Sequence, residues 1–281
     1  VIEVQEQIGY HTREACGTRL EQRRAVRVVP LPHMFYWHVS LMPGWEPVVG
    51  EQLAMMQHSG ITHVRSFVIA DYRRELDQVT RAAKRLGIDI EVLGASVDFS
   101  LGEGPTIRAI HKWSQDNPQA SVCYFHTKGI SDPNCPHKRH WRRAMMRHQV
   151  WEHDHNLSKL CVDDLVGCAW QPLPDYPHFC GNFWAARCDW LANLPHPDDY
   201  RFSRPDFQWA GTPHSWQKRI YVETWVGSRP WHSVHDRIAI GYPLWSAGVY
   251  DVSTDVPGFS YERDFTQILA GESNVRQALE A

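Results

Sequence analysis

From about residue 34 onward, apolar residues fall alternately into short unbroken runs and into longer stretches where they recur every three or four positions. Met34-Phe35-Tyr36-Trp37-His38-Val39 reads as a first strand. Pro43-Gly44 interrupts it, and Trp45, Val49, Leu53 and Met56 then recur at helical spacing as far as Ser59-Gly60. Arg65 to Ala70 is a second strand ending at Asp71, about 73 to 86 a helix stopped by Gly87, and Ile88 to Leu93 a third strand. Glu103-Gly104-Pro105-Thr106 opens a helix with Ile107, Ile110 and Trp113 inward, its proline in the first turn, where a missing N–H is tolerated. Val122-Cys123-Tyr124-Phe125 follows as an uncharged run suited to a strand buried on both faces.

This alternation predicts an α/β protein with right-handed βαβ units and a mainly parallel, Rossmann-like central sheet flanked by helices, in a single domain. Residues 1–30, with Arg23, Arg24 and Arg27 and little periodicity, read as an appendage, 31–228 as the core and 229–281 as a C-terminal extension. In the second half of the core, Ile130 to Lys138 is a loop and Trp141 to Cys161 a long helix. Its inward stripe is Arg142, Met146, Val150, His153, Leu157 and Leu160. Leu165 to Trp170 reads as a strand, Pro172 to Pro177 as a break, and the aromatic run His178 to Ala186 as bent at Gly181. Tyr200 to Pro213 is irregular, Ser215 to Gly227 a helix, and 270–281 a frayed tail.

Composition narrows this only a little. Hydrophobic residues at 43%, charged residues at 22% and a net charge of -3 describe an ordinary folded chain that is not basic throughout, though a local basic patch remains open. No apolar run reaches 18 residues and the first residues are charged, so the expectation is a cytoplasmic protein with no membrane span or secretory signal. Seven scattered cysteines without a Cys-x-x-Cys spacing read as reduced thiols. Thirteen tryptophans suit core, interface or sugar stacking alike.

Chemistry concentrates where the fourth strand ends, in His126-Thr127-Lys128-Gly129. Ligands of open α/β sheets bind at the carboxyl ends of strands, so a cation beside a hydroxyl and a glycine marks an anion site, unless it is an ordinary strand exit. Arg142, at the start of its helix, either points back to the loop after Lys128 or extends to solvent. Glu223 shares a helical stripe with Trp216, Ile220 and Gly227 and is either paired with Arg219 or used in chemistry. Lys138, Arg139, Arg143 and Arg147 gather near the positive end of the helix dipole, which calls for a compensating anion.

The ordered motifs resemble a family of GT-A-fold glycosyltransferases. Five features over about residues 34–228 carry the resemblance. They are Tyr36-Trp37-His38-Val39 with Trp45, Glu51-Gln52-Leu53 and Ser59-Gly60; Glu103-Gly104-Pro105-Thr106; His126-Thr127-Lys128-Gly129 with Trp141-Arg142; His178-Phe179-Cys180-Gly181-Asn182-Phe183-Trp184; and Glu223-Thr224-Trp225. The resemblance implies a nucleotide-sugar half over 31–130 and an acceptor and catalytic half over 131–228. The expected reaction moves a hexosyl or pentosyl group from a nucleotide sugar, UDP-linked by expectation, to a hydroxyl of a glycan or small acceptor.

Residue by residue, the resemblance implies Glu223 as the general base of an inverting transfer, its carboxyl raised in pKa by apolar neighbours. His126, Lys128, Gly129, Arg142, Asp71 and Glu103 would bind the donor, and His178, Gly181, Asn182, Trp184 and Trp225 would line the acceptor or sugar pocket. Core packing competes for Phe183, and a surface turn for Asp71. The chain departs from many GT-A enzymes in having no Asp-X-Asp triplet for a divalent Mn or Mg ion. Lys128 and Arg142 would then neutralise the leaving diphosphate, with His126 the remaining candidate metal ligand.

A duplex-DNA acceptor with hydroxymethylated, flipped-out bases would account for the surplus cations Lys138, Arg139, Arg143 and Arg147. A non-catalytic carbohydrate-binding protein would account for the tryptophans but not for Lys128, Arg142 and Glu223. A histidine metal site has weak support, because neither His153 with His155 nor His137 with His140 has helical i, i+4 spacing.

Overall fold

A computed structural model of the chain describes residues 32–171, 177–203, 221–229, 234–236, 275 and 277–279. The first half alternates as the periodicity predicts. Strand β1 (His33–Leu41) leads to helix α1 (Glu46–His58), β2 (His63–Ala70) to α2 (Arg73–Arg85), and β3 (Asp89–Ser96) to α3 (Gly104–Asp116), before β4 (Ser121–His126). After α4 (Pro136–Met146) and α5 (His153–Lys159) come the short strands β5 (Leu165–Gly167), β6 (Trp170–Gln171), β7 (His178–Phe179) and β8 (Trp184–Arg187). Helices α6 (Cys188–Leu191) and α7 (Pro197–Ser203) follow, then strand β9 (Val234–Asp236).

The central sheet has seven strands in the order β3-β2-β1-β4-β8-β5-β9, and β6 and β7 form a separate pair. β1 pairs in parallel with β2 and β4, β2 with β3, and β5 with β9, whereas β8 runs antiparallel to both neighbours. Six strands therefore share one direction, as an α/β protein with helical crossovers requires. Alternate residues of β1 serve the two faces. Phe35, Trp37, Val39 and Leu41 pack with α1, α2 and the α4 side, while Tyr36 joins Ile107 and Ile110 of α3, Tyr124, Trp184 and Trp225. The buried run of β4 lies at the middle of the sheet, next to β1, so its carboxyl end opens near the centre of one edge.

Several boundaries differ from those predicted. The helix expected over Trp141 to Cys161 starts earlier, at Pro136, because Cys135 is extended (ψ 116°) and proline suits the first turn. It is then interrupted by a π-helical turn, Arg147–Trp151. Asn156 Nδ2 donates to the His148 carbonyl (2.9 Å) and the Gln149 carbonyl (3.3 Å), and the Glu152 N–H donates to the Arg147 carbonyl five residues back (2.9 Å), which replaces part of the regular ladder there. The strand expected from Leu165 to Trp170 is split, since Ala169 adopts φ 59° between β5 and β6. Tyr200, expected in an irregular stretch, lies within α7.

The C-terminal end also corrects an expectation. Residues 275 and 277–279 are helical rather than frayed, and Val275 and Ala278 are buried in the same core as α1 and α2. Arg85 Nη1 donates to the Ala278 carbonyl at 2.7 Å. β9 likewise carries the sheet beyond residue 228, where the core was expected to stop. The proposed appendage over 1–30 and most of 229–281 lie outside the described residues. Among the described residues no helix is long and apolar enough to cross a membrane, and none of Cys123, Cys135, Cys161, Cys168, Cys180 and Cys188 is in a disulfide.

Candidate functional site

The turn that leaves β4 is fixed from four directions. Gln52 Nε2 donates to the His126 carbonyl at 2.7 Å, and Trp37 Nε1 in turn donates to Gln52 Oε1 at 2.8 Å. Thr127 Oγ1 accepts from the Ser40 N–H at 2.9 Å, which joins the ends of β4 and β1. Arg142 Nη1 donates to the Lys128 carbonyl at 3.1 Å. His126 Nε2 lies 2.8 Å from the Gly181 carbonyl. A carbonyl only accepts, so Nε2 carries the ring proton on that side.

The glycine of this turn has φ 78°, and a Cβ there would stand 3.1 Å from Lys138 Cβ and 3.3 Å from Arg142 Nη1. The turn therefore needs Gly129 for its handedness and for its room. Its product is a placed cation. Lys128 is half-buried, its Nζ lies 4.9 Å from the centre of the Trp141 ring, and no carboxylate pairs with it among the described residues.

Beside this turn sits a carboxylate held on one side only. Glu103 Oε2 accepts from the Tyr124 hydroxyl at 2.5 Å and from Asn182 Nδ2 at 2.6 Å. Trp184 Nε1 donates to Asn182 Oδ1 at 2.9 Å, and because an indole N–H can only donate, this orients the amide with its nitrogen towards Glu103. Glu103 Oε1 faces His126 Nδ1 at 3.7 Å, beyond hydrogen-bond length. Burial, then the charge and hydrogen bond of Glu103, then the charges of Glu223 and Tyr221, push the Tyr124 phenol well above its ordinary pKa. The phenol is thus protonated and is the donor.

Glu223 enters through the helical segment 221–225. Its carboxylate is half-buried, acts electrostatically on Tyr124, and has no hydrogen bond or ion pair among the described residues. Tyr221, from the same segment, lies over Gly104, so that a Cβ at Gly104 would collide with the phenol oxygen. Burial raises the Tyr221 pKa, with Arg201 and Arg108 opposing and Asp198 and Glu103 adding to the rise. Tyr124, Tyr221, Glu103 and Glu223 therefore form one electrostatic group. Neither tyrosine is marked in the sequence as more than a buried aromatic, although a buried phenol needs a partner for its hydroxyl.

Other predicted site residues fall elsewhere. Arg142 does point back to the turn, but it is only 1% exposed, with Nε 3.0 Å from Glu51 Oε1 and Nη2 3.4 Å from Oε2. It holds the loop that carries Lys128, and its guanidinium does not line an open anion site. Asn182 and Trp184 are fully buried and act behind Glu103 instead of lining a pocket. Trp225 is buried too, its Nε1 donating to the Pro195 carbonyl at 2.9 Å, and Phe183 belongs to the core. Gly181, at φ 88°, supplies the carbonyl for His126, and His178 lies with Nε2 3.8 Å from Cys180 Sγ. Asp71 is exposed just beyond β2.

The surplus of cations is largely compensated within the chain. Lys138 pairs with Asp132 (3.3 Å), Arg143 with Glu51 (2.9 Å) and Arg147 with Glu152 (3.1 Å). Of the four residues suggested for nucleic acid, Arg139 alone has no ion pair among the described residues. Among the described residues no three His, Cys, Asp or Glu side chains converge as metal ligands, and Glu103 Oε1 lies 3.7 Å from His126 Nδ1. Trp216, Arg219 and Ile220, the expected neighbours of Glu223, lie outside the described residues.

A family model described as "Domain of unknown function (DUF8361)" matches residues 44–234. The match spans more than half of the 281 residues, and the chain belongs to that family. It takes in Glu51, Glu103, the β4 turn, Asn182 and Glu223, leaving only β1 of the site's framework outside. No curated protein matches the chain.

Proposed function

We propose that this chain is a glycosyltransferase of the GT-A type, moving a sugar from a nucleotide-sugar donor, UDP-linked by expectation, to a hydroxyl of a glycan or small acceptor. One observation carries the reading. Two half-buried charges, Lys128 on the turn at the carboxyl end of β4 and Glu223, which acts electrostatically on Tyr124 of the same strand, are both left without an opposite charge among the described residues. A half-buried ammonium that the described residues leave unpaired attracts an anion, so a polar ligand with an anionic part suits the turn that leaves β4.

In the proposed reaction the Glu223 carboxylate takes the proton of the acceptor hydroxyl as its oxygen attacks the anomeric carbon. The bond from that carbon to the diphosphate oxygen breaks, and the negative charge gained by the leaving diphosphate is offset by Lys128. Donor and acceptor lie on opposite faces of the anomeric centre, so its configuration inverts. No step is routed through a metal ion. The internal pairing of Lys138, Arg143 and Arg147 supports a glycan or small acceptor over duplex DNA, since those cations need no phosphates.

Glu223→Gln is expected to lower the transfer rate by about 100- to 10,000-fold, the usual worth of a general base, with donor affinity nearly unchanged. Turnover measured with a panel of UDP-sugars and acceptors checks this. Near-normal turnover in the variant removes Glu223 from the mechanism, and absence of nucleotide-sugar binding in the native chain removes the reading.

A further inference from the structure

We propose that Glu103 is a hydroxyl reader, its Oε1 accepting a hydrogen bond from one hydroxyl of the ligand's sugar while Oε2 is used up in holding the carboxylate still. The inference rests on the sugar-nucleotide reading for its ligand but not on transfer chemistry.

The argument begins with an asymmetry. Both donors that reach Glu103, Tyr124 at 2.5 Å and Asn182 at 2.6 Å, fall on Oε2. Neither donor can be exchanged for an acceptor. The Tyr124 phenol keeps its proton, and the Asn182 amide is oriented by Trp184. Oε1 makes no hydrogen bond among the described residues, and His126 Nδ1 stands 3.7 Å away from it.

The ordinary use of a glutamate at this position is also missing. Glu103 directly precedes α3 in the helical region of backbone space (φ -77°, ψ -7°), yet its side chain caps no N–H of the helix. It turns instead towards the carboxyl end of β4. Asn182, whose amide holds Glu103, adopts φ 58°, a left-handed conformation that asparagine takes more readily than most non-glycine residues.

A carboxylate oxygen presented in this way takes a hydroxyl or a cation. The hydroxyl is favoured because Lys128, on the turn leaving the same strand, is a half-buried ammonium with no carboxylate partner among the described residues. It attracts an anion and repels a second cation. A ligand that joins an anionic group to a hydroxylated ring satisfies both, which is the chemistry of a glycosyl phosphate. Tyr124, Asn182 and Trp184 are then positioning residues.

The test is calorimetric binding of UDP, a panel of UDP-hexoses and the monodeoxy analogues of the best-bound member, to the native chain, Glu103→Gln and Tyr124→Phe. In the native chain, loss of one hydroxyl is expected to weaken binding about 10- to 100-fold, the consequence of leaving a carboxylate oxygen that the ligand covers without its hydrogen bond. Glu103→Gln should reduce that ratio to less than about threefold, and Tyr124→Phe should reduce it in part, with UDP affinity unchanged in both. Tyr124→Phe keeps the ring and the carboxylate, so it reports on the reader if Glu103→Gln fails to fold.

A native chain indifferent to every deoxy position overturns the inference, as does a discrimination ratio that survives Glu103→Gln. Glu103-dependent discrimination without transfer to any acceptor sustains this inference and defeats the transferase. Transfer with no Glu103-dependent discrimination does the opposite.

Discussion

Glu51 pairs with two arginines at a position only 3% exposed, taking Arg142 on both carboxylate oxygens and Arg143 on one. Removing its charge leaves Arg142 buried and unpaired. Breaking a buried pair from one side costs about 3–5 kcal/mol, so Glu51→Gln should lower the urea-unfolding free energy by that amount. The exposed Lys138–Asp132 pair makes the contrast, since Asp132→Asn should change the same measurement by less than about 1 kcal/mol. Of the two directions the sequence left open for Arg142, back to the loop after Lys128 or out to solvent, the first is the one observed. Its partner was not legible, because Glu51 is 91 positions away and only the packing of α1 on α4 brings them together.

At the scale of elements, the turn after β4 combines two demands in one residue. Gly129 has φ 78° and lies close to Lys138 and Arg142, so Gly129→Ala should destabilise by about 1–2 kcal/mol for the left-handed backbone alone. Thermal unfolding measures that part. A drop in affinity for UDP-sugars beyond the drop in stability would report displacement of Lys128. The motifs that lie far apart in sequence, Glu51-Gln52, Thr127-Lys128-Gly129, Arg142 and Gly181, all act on this turn, which gives a physical reason for each. Their residue types were visible beforehand. Which of them touch a ligand and which brace the loop depends on burial, and burial is not written in the spacing.

Across the whole molecule, two histidines link stability to pH. Burial, and then the charge of His153, lower the His33 pKa from 6.5 to about 3, and burial, then His196, lowers that of His111 against the raising effect of its bond to the Leu194 carbonyl. The unfolded chain therefore binds more protons than the folded one below the ordinary histidine range. The stability these groups contribute is complete at neutral pH and is lost as pH falls through about 6.5 towards 3. Denaturant midpoints measured over that window should fall with acid, and His33→Gln should flatten the fall. A second global feature is the returning C-terminus. Deleting residues from 275 onward uncovers the α1 face packed by Val275 and Leu279, and should cost about 3 kcal/mol if these side chains are worth the usual burial energy.

By itself the sequence determined the alternation of strand and helix up to β4, because runs and periods are local and each element must bury its own apolar face. It also placed the polar exit of β4 at a strand end, since the change from Phe125 to His126-Thr127-Lys128 lies within a few residues. The later, shorter strands and the helical return at residues 275 and 277–279 were decided by partners distant along the chain. The roles of Glu103, Tyr124 and Asn182 were decided in the same way. A carboxylate is a capping group, an ion-pair member or a hydroxyl acceptor according to what meets each of its oxygens, and only the tertiary fold brings those atoms within reach.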